Sequence, residues 1–248
     1  MIALEPGAEH PALPSWACRR ENPGALAEVT ANPPRRLPVP GVPGAFQLDP
    51  LLSPGECQGL IDLSERLGYL PDAAVSLPRS IRHNDNLVWI VDDTTHRVIW
   101  QRVAARCGDE AGVFDGAGGT GLNQRFRFYR YAEGDYFQPH TDGAWPGSRV
   151  IDGELVTDAF PGHYSRMTFL IFLNADFEGG ATRFLTDADN PGLPARRGSR
   201  VKVVDVRTPA GGALCFPHGL HPLHCLHSSE PVSRGRKYII RTDLLFPL

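Results

Sequence analysis

His140, Thr141 and Asp142 set an imidazole and a carboxylate two positions apart. In an extended chain that spacing puts both on one face, so backbone geometry alone presets two ligands for a metal ion. Two histidines and one carboxylate bind one face of iron(II) and leave the opposite positions open, so the third ligand must come from elsewhere in the chain. The C-terminal stretch offers His218, His221, His224 and His227. Alone, the H-x-D pair is weak evidence, because nine histidines and 28 acidic residues make chance matches common. The alternative reading of the pair is a surface couple that binds no metal.

The distal half strengthens the case. His227 lies four residues before Pro231 and ten before Lys237. Tyr131 stands nine residues before His140, with Gly134 three residues further on, and a Gly179-Gly180-Ala181-Thr182 turn lies between the two halves. With Pro231-Val232, Gly235, Lys237 and Tyr238, this pattern resembles the prolyl 4-hydroxylase-like branch of the Fe(II)/2-oxoglutarate dioxygenases. The resemblance covers roughly residues 121–246, about half the chain, and the N-terminal half is not matched comparably. It implies iron ligation by His140, Asp142 and His227, with His224 as the fallback third ligand.

The resemblance also implies 2-oxoglutarate and O2 as cosubstrates, with decarboxylation to succinate coupled to hydroxylation of a substrate C–H bond. Desaturation, epoxidation and ring closure use the same triad and stay open. Ascorbate support is expected on the same ground. A buried 2-oxoglutarate carboxylate needs a cation. Lys237 matches the family position for that contact, and Tyr131 and Thr168 match positions of hydroxyl donors beside it. Arg241 shares a strand face with Lys237 and Ile239, so it could reach inward as a second cation or form an ion pair with a strand neighbour.

Substrate contacts are less determined. Alternation from Tyr131 aims Tyr129, Arg127, Arg125 and Asn123 to one side, which makes Arg127 a candidate lining residue; a mixed surface row is the alternative. The 143–165 connection exceeds ordinary loop lengths and reads as a lid or an insertion, with Trp145 and Arg149 as candidates for closing over substrate. Arg82 and Asn84, in the polar stretch 79–86, are further candidates beside a plain turn reading. An inward arginine favours a substrate bearing a carboxylate or phosphate, which suits a small molecule or an amino acid. A peptidyl substrate would need an open groove. A catalytically silent metal- or ligand-binding jelly roll is the reading from another class.

These residues need a scaffold. From Gly121 onward, short β-rich runs such as NQRFRFYRY, MTFLIFLN and KYIIRTDLLF alternate with glycine and proline, as in a sandwich, jelly roll or barrel. Ser53 and Glu56 have capping-box spacing before a helical pattern, a second helix is expected from near Asp93, and Leu87 to Val91 reads as a strand. The expected fold class is therefore mainly β with flanking helices: a double-stranded β-helix (jelly-roll, cupin-like) core over 121–248, buttressed by helical support over 45–120. Both parts belong to one domain, 45–248. Residues 1–44, rich in proline, alanine and glycine, are expected to form an extended or wrapping segment.

The whole 248-residue chain is 42% hydrophobic, enough for a sizeable core. A formal charge of −3 gives no general reason to gather phosphate backbones, so no nucleic-acid partner is expected and a nucleic-acid demethylase is disfavoured. No window approaches the roughly 18 apolar residues of a membrane span. Five scattered cysteines suit reduced thiols. A cytoplasmic protein without membrane partners is expected, and oligomeric state is open.

Overall fold

The computed structural model describes residues 1–30, 32–72 and 77–248. Its two helices begin where side chains satisfy their first amides. Pro54–Leu67 is capped by Ser53, whose hydroxyl accepts from the Glu56 amide while the Glu56 carboxylate accepts from the Ser53 amide. Asp93–Val103 starts at Asp92, which accepts from the Thr95 amide. Glu56 also faces Arg102 of the second helix at 2.6 Å, joining the two. Burial pushes the Glu56 carboxyl up, but Arg102 and the backbone amides outweigh it and hold it down at about 2.

Both helices pack on the outer face of a ten-stranded sheet. Its order is Ala3–Glu5, Leu13–Ala17, Asp85–Ile90, Arg125–Tyr131, Lys237–Pro247, His163–Phe172, Ala213–Pro217, Phe46–Asp49 and Arg35–Pro38, with Gly121–Leu122 paired to Lys237–Pro247. Alternation along these strands separates two cores. Phe126, Phe128 and Ile240 point outward to Leu60, Val98 and Ile99 of the helices. Tyr129, Tyr131, Leu170, Phe172 and Ile239 point inward. A second sheet, ordered Val201–Val206, Thr182–Asp187, His227–Ser229, Tyr136–His140 and Arg82–His83, closes the other side. Phe184 of that sheet joins the inner core. The mainly β architecture expected of the sequence is thus present, with two sheets around one interior.

Pieces of the N-terminal segment take up strand pairing. Leu13–Ala17 runs parallel to Asp85–Ile90, and Ala3–Glu5 adds beyond it. The 143–165 connection contains a hairpin, Arg149–Ile151 with Glu154–Val156. Asp152 and Gly153, at φ of 50° and 83°, make the two-residue turn that Asp-Gly favours. Among the described residues no helix is long and apolar enough to cross a membrane, and all five cysteines are free.

Candidate metal centre

Tyr136–His140 and His227–Ser229 are antiparallel neighbours, and His140 and His227 are direct partners across the pair. Two residues past His140, Asp142 turns its carboxylate between the rings. Oδ1 lies 3.7 Å from His140 Nε2 and Oδ2 lies 3.6 Å from His227 Nε2. One donor atom from each of the three residues lies within 4.8 Å of the others. The histidines are held in the tautomer a metal needs. Each Nδ1 faces a backbone carbonyl, that of Gln138 at 2.8 Å and that of Cys225 at 3.2 Å. A carbonyl only accepts, so the proton sits on Nδ1 and both Nε2 lone pairs point at Asp142. Phe137 stacks on the His140 ring at 3.5 Å, and Phe216 meets His227 edge-on.

Electrostatics agree with this assignment. Burial, with His227 beside it, drives the His140 imidazolium down to about 3, and burial likewise lowers His227, so both rings are neutral ligands at neutral pH. Burial opposes ionisation of Asp142, yet Arg241 and the facing histidines hold its carboxyl far below the usual carboxylate range. Two neutral imidazoles and one carboxylate on one side, with nothing but cavity lining opposite, fit a divalent iron with exchangeable positions.

A hydrogen-bond chain fixes the carboxylate from behind. Thr168 donates to Asp142 Oδ2 at 2.6 Å and accepts from His218 Nδ1 at 2.9 Å. His218 Nε2 then accepts from the Ser165 hydroxyl at 3.0 Å, and Ser165 accepts from the Trp145 amide at 2.8 Å. Thr168 therefore stands behind the metal carboxylate and not beside Lys237. His221 and His224 lie elsewhere. The first bonds the Val113 carbonyl and the second faces Arg196.

The cavity in front of the triad is lined by Tyr129, Tyr131, Leu170, Ile239, Lys237 and Arg241, among others. Cross-strand register orders these along the barrel: Tyr131 pairs Lys237, Tyr129 pairs Ile239, and Arg127 pairs Arg241. Lys237, only 1% exposed, donates to the Gly180 carbonyl at 2.7 Å and to Ser229 Oγ at 3.1 Å, with the Tyr131 ring 5.0 Å away. It meets no carboxylate at hydrogen-bond distance among the described residues. Burial lowers its ammonium to about 7. Gly180, at φ of 64°, brings its carbonyl to Lys237, and a Cβ there would press on Lys237 Cδ at 3.3 Å. At the other end, Arg241 Nη1 lies 3.3 Å from Asp142 Oδ1, and Nη2 donates to Asp243 at 3.2 Å.

The remaining candidates are dispersed. Arg127 sits 3.6 Å from Asp243 and lines a separate cleft at the barrel mouth with Trp145. Arg149 is bound to Asp93 at the surface, away from the triad. Arg82 is buried near the Tyr129 and Phe137 rings, at 5.6 and 5.8 Å. Asn84 is buried beside Tyr131. Tyr129 lines the cavity on the side to which strand alternation aims it, whereas Ser229, Asp243 and the Gly180 carbonyl's contact with Lys237 lie outside the sequence reading. Asp243 carried a signal in its place two positions from Arg241 on the same strand face.

Comparison with known proteins agrees with the geometry. Residues 126–242 match the family model described as the 2OG-Fe(II) oxygenase superfamily. That match spans just under half of the chain and supports a 2-oxoglutarate-dependent non-haem iron dioxygenase, with His140, Asp142 and His227 inside the matched stretch as the candidate iron site. In fold it is similar to a viral collagen prolyl hydroxylase from Paramecium Bursaria Chlorella virus-1 in a 2OG complex, at 19% identity and a TM-score of 0.51, covering 83% of this chain and 97% of that one. It is also similar to a prolyl hydroxylase from Trichoplax adhaerens in complex with a hypoxia inducible factor peptide fragment. That likeness has 16% identity and a TM-score of 0.53, covering 82% of this chain and 83% of the other. No curated protein matches the chain.

Proposed function

We propose that this dioxygenase hydroxylates a C–H bond of a small-molecule or amino-acid-like substrate, with release of succinate and CO2, as a cytoplasmic enzyme. The observation that carries this reading is a single cavity with the His140, Asp142 and His227 donors on its wall and the buried Lys237 ammonium at its far end. Bound iron(II) supplies the redox chemistry that couples oxidative decarboxylation of 2-oxoglutarate to C–H hydroxylation. The chain's own residues bind and orient. Lys237 would hold the C5 carboxylate of 2-oxoglutarate, with Tyr131 against it, while Leu170, Ile239 and Phe172 keep water from the charged pair. Thr168 and His218 hold Asp142 in one orientation.

A peptidyl hydroxylase is the second reading, favoured by the fold shared with the Trichoplax adhaerens prolyl hydroxylase, which is described as bound to a peptide. Against it stands the mouth of the barrel, walled by Glu5 of the first strand and by Trp145, Pro146 and Thr157 of the long connection. The test is succinate formation against metabolite and peptide panels, with iron(II) and the ascorbate support the resemblance implies, and with His140→Ala and Lys237→Ala as controls. Turnover coupled to a metabolite and lost in both variants is expected. Wild-type protein that binds no iron(II) under anaerobic conditions would refute the dioxygenase reading. Turnover with no panel member, and function intact in Asp142→Ala, would favour the silent binding module.

A further inference from the structure

At the mouth of the barrel lies a cleft of about 380 Å³, the size range of an amino-acid-like ligand. Arg125, Arg127 and Glu5 line it with Trp145 and Tyr164. Arg127 joins it to the metal centre through Asp243, Arg241 and Asp142, in contacts of 3.6, 3.2 and 3.3 Å. Charge is distributed unevenly along this path. On the deep side, iron(II) and Lys237 together balance Asp142 and the two carboxylates of 2-oxoglutarate. On the mouth side, three arginines face two carboxylates.

Glu5 is fully used by Arg125, with both its oxygens at 2.8 Å from the guanidinium and a further contact from the Ser15 hydroxyl. Asp243 is then shared between Arg127 and Arg241 once Asp142 is committed to a divalent metal. The sharing is poor: Arg127 Nη1, Arg241 Nε and Asp243 Oδ2 have no hydrogen-bond partner among the described residues. A buried cation left without its own anion is costly, and a guanidinium takes a carboxylate in a two-pronged hydrogen bond.

Resting on the dioxygenase reading above, we propose that Arg127, backed by Arg241, anchors a free carboxylate of the substrate in this cleft, at the outer end of the Asp142–Arg241–Asp243 chain of contacts. The enzyme would thus act on an amino-acid-sized carboxylic acid, and its specificity is set by charge at one end of that molecule. Asp243 holds the two guanidiniums side by side. Neutral analogues leave the excess positive charge uncompensated and are rejected.

The test uses the full chain loaded with 2-oxoglutarate and redox-inert manganese(II), titrated calorimetrically with the free L-amino acids and with the same amino acids as carboxamides. At least one acid is expected to bind, at least tenfold tighter than its carboxamide. Arg127→Gln removes that preference and Arg127→Lys keeps part of it, while 2-oxoglutarate affinity changes by less than about twofold in both, showing that each variant is folded. Binding of acids and carboxamides alike, binding of no acid, or a preference that survives Arg127→Gln overturns the proposal and leaves the dioxygenase reading standing. Failure of the wild type to bind 2-oxoglutarate overturns that reading and this proposal with it.

Discussion

Lys237 gives the dioxygenase reading a titration that can be measured. Burial, reinforced by Arg207 and opposed by Glu230, lowers its ammonium from 10.5 to about 7. The dicarboxylate needs the charged amine and, once paired with it, raises its pKa well above neutrality. In the free protein the lysine is charged below pH 7 and neutral above it, so binding at higher pH must take up a proton. With the free-state value at about 7, affinity for 2-oxoglutarate falls only about twofold between pH 6 and 7, and then about fivefold more by pH 8. Proton uptake on binding should rise from about 0.1 at pH 6 to about 0.9 at pH 8. Calorimetry with manganese(II)-loaded protein, in buffers of different ionisation enthalpy, reads both quantities. Lys237→Met leaves the carboxylate unpaired in a dry cavity and should weaken binding by about 3 kcal/mol or more, at least ~10²-fold. Affinity that is flat from pH 6 to 8.5 with no proton uptake, or that survives Lys237→Met, would show that this lysine does not hold 2-oxoglutarate.

Two further outcomes follow from residues behind the site and beneath it. Thr168→Val keeps the shape of the side chain but removes the 2.6 Å hydrogen bond to Asp142 and leaves His218 Nδ1 without its acceptor; metal affinity should fall about 10- to 100-fold in a competition titration, and the metal-free protein should lose about 1–3 kcal/mol of stability. An unchanged affinity would mean that strand geometry alone orients Asp142. Arg102→Met strands the Glu56 carboxylate between the helices and should cost about 3 kcal/mol in urea unfolding at pH 7. Because the folded pKa of Glu56, about 2, lies below its ordinary 4.5, the stabilisation is complete above pH 4.5 and is lost as pH falls towards 2. The variant and wild type should therefore converge in that acid window, and a difference that persists at pH 2 would assign the loss to packing.

What could be read from the sequence was what local spacing determines. Ser53 and Glu56 place a helix start because both halves of the capping box lie within one turn. His140 and Asp142 share a face because strand period is two. His227 and Lys237 were reachable only through a family pattern, since nothing in their neighbourhood distinguishes His227 from His218 or His224. Register was not legible. That His140 stands directly opposite His227, and that Thr168 lies across from Asp243 and bonds Asp142, depends on pairings between residues 26 to 87 positions apart. The Asp152-Gly153 hairpin is locally written, yet with strands of only three residues each it reads from sequence as part of a lid or an insertion. Glu5 reaches Arg125 from 120 residues away through a parallel pairing that no short pattern announces.

The two ends of the barrel differ in how strongly chemistry constrains them. On the proposed reading the deep end serves a fixed partner, and a fixed dicarboxylate needs one cation at one depth, so Lys237 and Tyr131 stand at a spacing that a family pattern makes recognisable. The mouth serves whatever molecule is oxidised. Its charges come from separate places, Arg125 and Arg127 from one strand, Asp243 from the next, Glu5 from the chain's first strand, and no common spacing links them. Their meaning lies in a balance of charge that only the assembled cleft exposes. Arg241 stands at the boundary. Paired to Asp142 and Asp243 at once, it belongs to the metal centre by contact and to the mouth by charge, where the sequence left it undecided between a second inward cation and an ion pair with a strand neighbour.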